Sequence, residues 1–216
     1  MNSNYTDITV ILDRSGSMLS IQKDMEGGLN SLFEEQKKLD GVCKVSLYQF
    51  DTEYESVFEG KDIKDVPEVK LLPRGGTALL DAIGKTINSV GLRLSSMNES
   101  ERPGKVVVII ITDGQENSSV EFKKPQVFDM ITLQRETYNW QFVFLGANQD
   151  AIEEAGSLGV MSSSSATYSS TSLGAKRIFY AVSQGMADYR TGASSGCVIS
   201  EDAKLEQEEL IKQFGH

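Results

Sequence analysis

The run Val106-Val107-Val108-Ile109-Ile110-Ile111, bounded by Lys105 and Thr112, constrains the chain most. Every residue in it is β-branched and none is polar, so neither face of the segment can lie in water. The run predicts a central strand covered on both sides. A single layer of structure cannot supply that cover, and the rest of the chain has to bring helices to both faces.

The flanking segments fit that demand. Asp7 to Leu12 is a second compact apolar run ended by small polar residues, as in a buried strand. Ile21, Met25, Leu29, Leu32, Phe33 and Leu39 follow at helical spacing. Val42 to Phe50 and Tyr54 to Phe58 read as strands joined by Asp51-Thr52-Glu53, a connection short enough for an antiparallel hairpin. Further helices are predicted over about Thr77 to Leu94, Gln126 to Tyr138, Asp150 to Ala155 and Leu173 to Tyr189. Two more strands are predicted, Gln141 to Leu145 and a weak one near Leu158 to Met161. Strands alternating with helices make an α/β domain with a mostly parallel sheet. The Ser-rich stretch from Ser162 to Ser172 reads as an exposed loop. One domain is expected over residues 1–199. The acidic end, 200–216, is either a docking helix or a partner-binding tail.

Composition closes off several functions. The single histidine is His216, which nearly excludes histidine metal sites and Ser–His or Cys–His catalysis. A formal charge of −10 argues against binding nucleic acid or anionic lipid. Met1 to Tyr5 lacks the basic region and apolar run of a secretory leader, and Val106 to Ile111 is too short to span a bilayer. With only Cys43 and Cys197, no disulfide framework is expected, and the chain reads as cytoplasmic.

In open α/β sheets, ligands bind at the carboxyl ends of the strands. The first strand runs into Asp13-Arg14-Ser15-Gly16-Ser17, where alternation lets Asp13, Ser15 and Ser17 converge. The central strand ends in Thr112-Asp113-Gly114, and the second long helix opens with Gly75-Gly76-Thr77. Two carboxylates and three hydroxyls form a hard oxygen set suited to Mg²⁺ or Mn²⁺. The plainer alternatives are that Ser15, Ser17, Ser20 and Thr77 cap helices and that Asp113-Gly114 is an ordinary turn. Glu116 and Asn117 read as solvated loop, and Arg14 as either an ion-pair partner or a contact for an acidic ligand.

These segments resemble the von Willebrand factor type A domain family and its metal-ion-dependent adhesion site. The first motif is Ile11 to Met18, the second Gly76-Thr77-Ala78-Leu79-Leu80-Asp81-Ala82, and the third Ile111-Thr112-Asp113-Gly114. The resemblance covers about residues 6 to 190. It implies a Rossmann-like sheet in the order 3-2-1-4-5-6 with one antiparallel edge strand and helices on both faces. It also implies that Ser15, Ser17 and Thr77 touch the metal, with Asp13 and Asp113 often acting through water. Phe144 to Asp150 and the Ser-rich stretch are similar to stand-alone bacterial and bacteriophage members.

The expected function is a non-enzymatic protein-binding module in which a Mg²⁺ ion captures an Asp or Glu carboxylate of a protein partner. The alternatives are a Mg²⁺-dependent phosphoester hydrolase and a structural module that assembles without metal. The hydrolase would use Asp13 as nucleophile, yet no acidic residue stands two positions later. Gly192-Ala193-Ser194-Ser195-Gly196 fits a hydrolase elbow in letters only, because it follows a predicted helix and lacks a base.

Overall fold

The computed structural model describes residues 1–147 and 151–214. Among the described residues, six strands and six α-helices follow one another, alternating except where the second and third strands adjoin and at the last two helices. They are β1 (Asn2–Asp13), α1 (Gln22–Lys37), β2 (Val42–Phe50), β3 (Tyr54–Asp62), α2 (Leu79–Ser95), β4 (Pro103–Thr112), α3 (Lys124–Tyr138), β5 (Gln141–Gly146), α4 (Ala151–Ser157), β6 (Ser165–Thr167), α5 (Ser172–Thr191) and α6 (Glu201–Phe214).

The strands form one sheet in the order β3-β2-β1-β4-β5-β6. All neighbours are parallel except β2 and β3. This is the Rossmann-like order expected, with the antiparallel hairpin at one edge. Side-chain alternation along β4 explains its apolar run from Val106 to Ile111. Val107, Ile109 and Ile111 join a core with α1 and α5, while Val108 and Ile110 join a second core with α2 and α3. Gly28 on α1 makes the first of these layers possible, because a β-carbon there would lie 2.1 Å from the Phe179 ring of α5.

Two expectations are corrected at the far edge. The segment near Leu158 to Met161 is not a strand: Gly159 takes a left-handed φ of 87°, and Val160 folds back to donate to the carbonyl of Ala155 at 2.9 Å. The sixth strand lies instead in the Ser-rich stretch, which is not an exposed loop. Ser164, Ser165, Tyr168 and Ser169 are buried. Burial there is tolerable because the serines find internal partners: Ser164 Oγ donates to Cys197 O at 2.6 Å and Ser165 Oγ to Met161 O at 2.8 Å.

The acidic end forms α6, which docks through Leu210 and Gln207. Gln207 accepts from the Ser169 amide at 2.9 Å and donates to Gly174 O at 3.0 Å. The expected helix start at Asp150, the match through Asn148 to Asp150, and His216 lie outside the described residues.

Candidate metal centre

β1 and β4 are adjacent and parallel, so their carboxyl ends meet at the reversal of strand order. Asp13 is the last residue of β1 and is fully buried. Its Oδ1 accepts from the Ser15 amide and its Oδ2 from Thr112 Oγ1, each at 2.6 Å. The Ser15 and Ser17 hydroxyls lie 3.1 Å apart, and Ser17 Oγ donates to Asp113 Oδ1 at 2.7 Å. The first and third loops are thus joined oxygen to oxygen.

Thr77 reaches the same point. A β-carbon built on Gly114 would stand 3.1 Å from Thr77 Oγ1, 3.6 Å from Ser17 Oγ and 3.9 Å from Ser15 Oγ. The missing side chain at Gly114 therefore leaves a space faced by three hydroxyls from two loops, with Asp113 beside it. The five residues Asp13, Ser15, Ser17, Thr77 and Asp113 are gathered at one end of the sheet.

The hydroxyls are not occupied as helix caps. Ser15 precedes a short 3₁₀ turn without a side-chain capping bond, and neither Ile21 before α1 nor Ala78 before α2 supplies one. The start of α2 is capped from the third loop instead: Glu116 accepts from the Leu80 amide at 2.9 Å and Ser119 Oγ from the Asp81 amide at 3.0 Å. Glu116 is accordingly a bound carboxylate rather than solvated loop. Asn117 accepts from the Thr77 amide at 2.9 Å and holds the second loop against the third.

Two further carboxylates position the loops. Asp81 accepts from the amides of Val120, Glu121 and Phe122 at 2.8–2.9 Å. Asp51, after β2, takes Arg14 Nε at 2.9 Å and Arg74 Nε at 2.8 Å. Arg14 also pairs with Glu55, so its role is an ion pair that clamps the first two loops together. Gly75 provides a left-handed φ of 69° in the second loop. A β-carbon on Gly76 would meet Ser118 Oγ at 2.5 Å and Asn117 Oδ1 at 2.9 Å, so a larger residue there would push these side chains of the third loop aside. Asp51 carried a signal as another polar strand end, and Asp81 as an acid in the first turn of a helix. Tyr168 had none; its buried hydroxyl donates to Thr112 O at 3.3 Å beneath the site.

Burial pushes the Asp13 carboxyl up to about 6, against the hydrogen bonds from Thr112 and Ser15, and raises Asp113 as well. Burial acts the same way on Asp51, but Arg74, the Glu53 amide and Arg14 overcome it and hold that carboxyl below its ordinary range. Burial thus disfavours the charged form of both carboxylates, and among the described residues neither pairs with a cationic side chain. An all-oxygen donor set with an open space at Gly114 fits a hard divalent cation. Among the described residues no group of three or more His, Cys, Asp or Glu forms a metal cluster, so the two acids and three hydroxyls are a charge-poor set.

The family model for the von Willebrand factor type A domain matches residues 7–182. The chain belongs to that family. No match was found among the sequences of curated proteins. Among solved structures, proximal thread matrix protein 1 from the mussel byssus, with a zinc-occupied adhesion-site motif, aligns with a TM-score of 0.62 at 20% identity. The alignment covers 85% of this chain and 46% of that one. A second structure of the same mussel protein gives 0.63 at 17% identity with the same coverage. This type A domain therefore spans less than half the length of the mussel protein. Manganese-loaded TRAP protein of Plasmodium vivax aligns at 0.46 and 17% identity, over 69% of this chain and 59% of that one. Type A domains often bind a metal ion at the adhesion site and mediate protein interactions. No described helix is long and apolar enough to cross a membrane.

Proposed function

We propose that this type A domain is a non-enzymatic protein-binding module. Asp13, Ser15, Ser17, Thr77 and Asp113 would hold Mg²⁺ or Mn²⁺ as a complete adhesion site, and through it an Asp or Glu carboxylate of a protein partner. The observation that carries the reading is the meeting of three hydroxyls around the space at Gly114, with the buried carboxylate of Asp13 and the half-buried one of Asp113 bonded into the same loops. When bound, such an ion supplies an electrophilic position that an incoming carboxylate can fill.

The chain's own part is to set charge and geometry. Two carboxylates balance a divalent charge, and the hydroxyls add oxygen without adding charge, so no excess negative potential opposes an acidic ligand. Asp13 is fixed by Ser15 and Thr112, and Thr112 is in turn held from below by Tyr168. Two buried free thiols, Cys43 and Cys197, support a cytoplasmic location. The segment from Phe144 and the serines from Ser162 support kinship with stand-alone bacterial or bacteriophage members.

The test is affinity capture from a lysate of the source cell with the wild type and Asp13→Ala, each in Mg²⁺ and in EDTA. A protein retained only by the wild type in Mg²⁺ is the expected result. Retention in all four conditions moves the interface away from the site and overturns the proposal. Thr77→Ala is expected to behave like Asp13→Ala while keeping a native circular-dichroism spectrum.

A further inference from the structure

Thr112 is the joint between the two carboxylates of the metal centre. Its hydroxyl donates to Asp13 Oδ2 at 2.6 Å and accepts from the Gly114 amide at 3.2 Å, and its carbonyl belongs to the peptide that carries Asp113. A peptide unit is planar and rigid, so the tilt of that one plane sets the direction in which Asp113 leaves the strand towards Ser17 Oγ. Whatever fixes the plane bears on the site.

The Thr112 carbonyl accepts twice. The Ala147 amide reaches it at 3.2 Å from the end of β5, and the Tyr168 hydroxyl at 3.3 Å from the end of β6. Tyr168 is wholly buried in the core between the sheet, α1 and α5, where Phe33 and Phe179 lie without a polar atom. A buried hydroxyl costs free energy unless it is hydrogen-bonded, and this one has Thr112 O as its partner. Phenylalanine would satisfy packing alone. Burial, with the charges of Asp113 and Asp13 adding to it, keeps the proton on the Tyr168 oxygen well above the ordinary tyrosine range, so the group is always a donor.

The backbone on either side holds the ring in place. The Tyr168 amide donates to Gly146 O at 2.9 Å, and the Ser169 amide to Gln207 Oε1 of α6 at 2.9 Å. Gln207 is itself buried and donates to Gly174 O at 3.0 Å, in the first turn of α5. The turn between them is so tight that a β-carbon on Gly174 would stand 2.5 Å from Ser169 O. The hydroxyl thus reaches the underside of the site from a scaffold anchored in β5, α5 and α6, none of which supplies a ligand.

Resting on the metal-binding reading above, we propose that Tyr168 is a positioning residue of the metal centre, its hydroxyl holding the Thr112–Asp113 peptide in the orientation that keeps Asp113 in the ligand set. It acts only through Thr112.

Tyr168→Phe removes one oxygen and keeps the ring. Thr112 O retains the Ala147 amide in that variant, so no acceptor is orphaned. Tyr189→Phe, in the same core but in the last turn of α5, is the control for loss of a tyrosine hydroxyl. Mg²⁺ affinity is read by calorimetry, and positioning by hydrogen exchange of the Gly114 amide in EDTA, where no ion organises the loop. Tyr168→Phe is expected to bind Mg²⁺ about fivefold more weakly and to exchange at Gly114 about fivefold faster. Its melting temperature in EDTA should stay within about 3 °C of the wild type. Tyr189→Phe should leave affinity and Gly114 exchange unchanged.

Unchanged affinity and exchange in Tyr168→Phe overturn the proposal and leave the metal-binding reading standing. A large drop in melting temperature with faster exchange throughout β4 and β5 also overturns it, because the hydroxyl would then support the fold at large. An equal loss of affinity in Tyr189→Phe does the same. If the wild type binds no Mg²⁺, the metal-binding reading fails and the exchange data decide the positioning alone: acceleration confined to Gly114 upholds it, and unchanged exchange overturns it.

Discussion

Asp13 is a residue whose burial works against the fold. Its carboxyl rises to about 6 in the folded chain, against about 3.9 in an unfolded one. The folded state therefore binds the proton more tightly between those values, and stability falls as pH rises through that window. Two units correspond to roughly 2–3 kcal/mol lost by pH 7, and Asp113 adds a loss of the same sign. In EDTA, the melting temperature is expected to be higher at pH 5 than at pH 7.5. Asp13→Asn should flatten that dependence, because the amide keeps the Ser15 contact and Thr112 Oγ1 can turn its proton to Gly114 O at 3.1 Å. Added Mg²⁺ should stabilise the wild type at pH 7.5 and leave Asp13→Asn unchanged. A wild type more stable at pH 7.5 than at pH 5 would contradict this account. Gly114→Ala makes a complementary prediction, since its methyl would occupy the space between the hydroxyls. It should melt within about 1 kcal/mol of the wild type yet lose Mg²⁺ affinity at least tenfold by calorimetry. The gathering of these five residues was legible because strand ends, small residues and a glycine announce themselves in sequence. The carboxylates that hold the loops were less so: Glu116 looks like an ordinary surface acid and Asp81 like a first-turn acid of a helix until the backbone amides they accept are in place.

At the scale of elements, the third loop has little regular structure and owes its shape to α2. Asp81 accepts three amides of residues 120–122, and Glu116 accepts from Ser118 and Ser119 while capping Leu80. Asp81→Asn replaces an acceptor oxygen with a donor and leaves at least one part-buried amide without its acceptor, at a cost of about 1 kcal/mol. Faster hydrogen exchange should be confined to residues 114–122, with weaker Mg²⁺ binding and intact exchange protection in β1 and β4. Uniform loss of protection across the sheet would show instead that Asp81 supports the whole fold. The same dependence on distant partners explains which elements the sequence conceals. Periodicity located β4, α1 and α2 because their burial is written in their own side chains. It misplaced the sixth strand, since Leu158 and Val160 are apolar for packing while Gly159 turns the chain. Ser165 and Ala166 lack strand propensity and become strand by pairing with Phe144 and Leu145.

At the scale of the molecule, β1 links two buried acids with opposite fates. Asp13 ends it among hydroxyls, whereas Asp7, about 20 Å away along the strand, meets both terminal nitrogens of Arg93 at 2.9 Å and the Tyr5 hydroxyl at 3.2 Å. The fold neutralises one carboxylate internally and leaves the other for an external charge. Arg93→Met removes the internal cation and strands Asp7, which is fully buried, at an expected cost of about 3–5 kcal/mol in denaturant unfolding. Adding Asp7→Leu should recover most of that loss, because an apolar pair replaces an uncompensated charge. Mg²⁺ affinity, measured where each variant remains folded, should match the wild type. Arg93 acts on the last turn of α2, while the metal centre is held at its first turn through Asp81 and Glu116. A weakened affinity in Arg93→Met, restored in the double variant, would mean that α2 transmits strain from one end of the sheet to the other. Unchanged affinity would establish that the two ends are built independently, one for stability and one for binding.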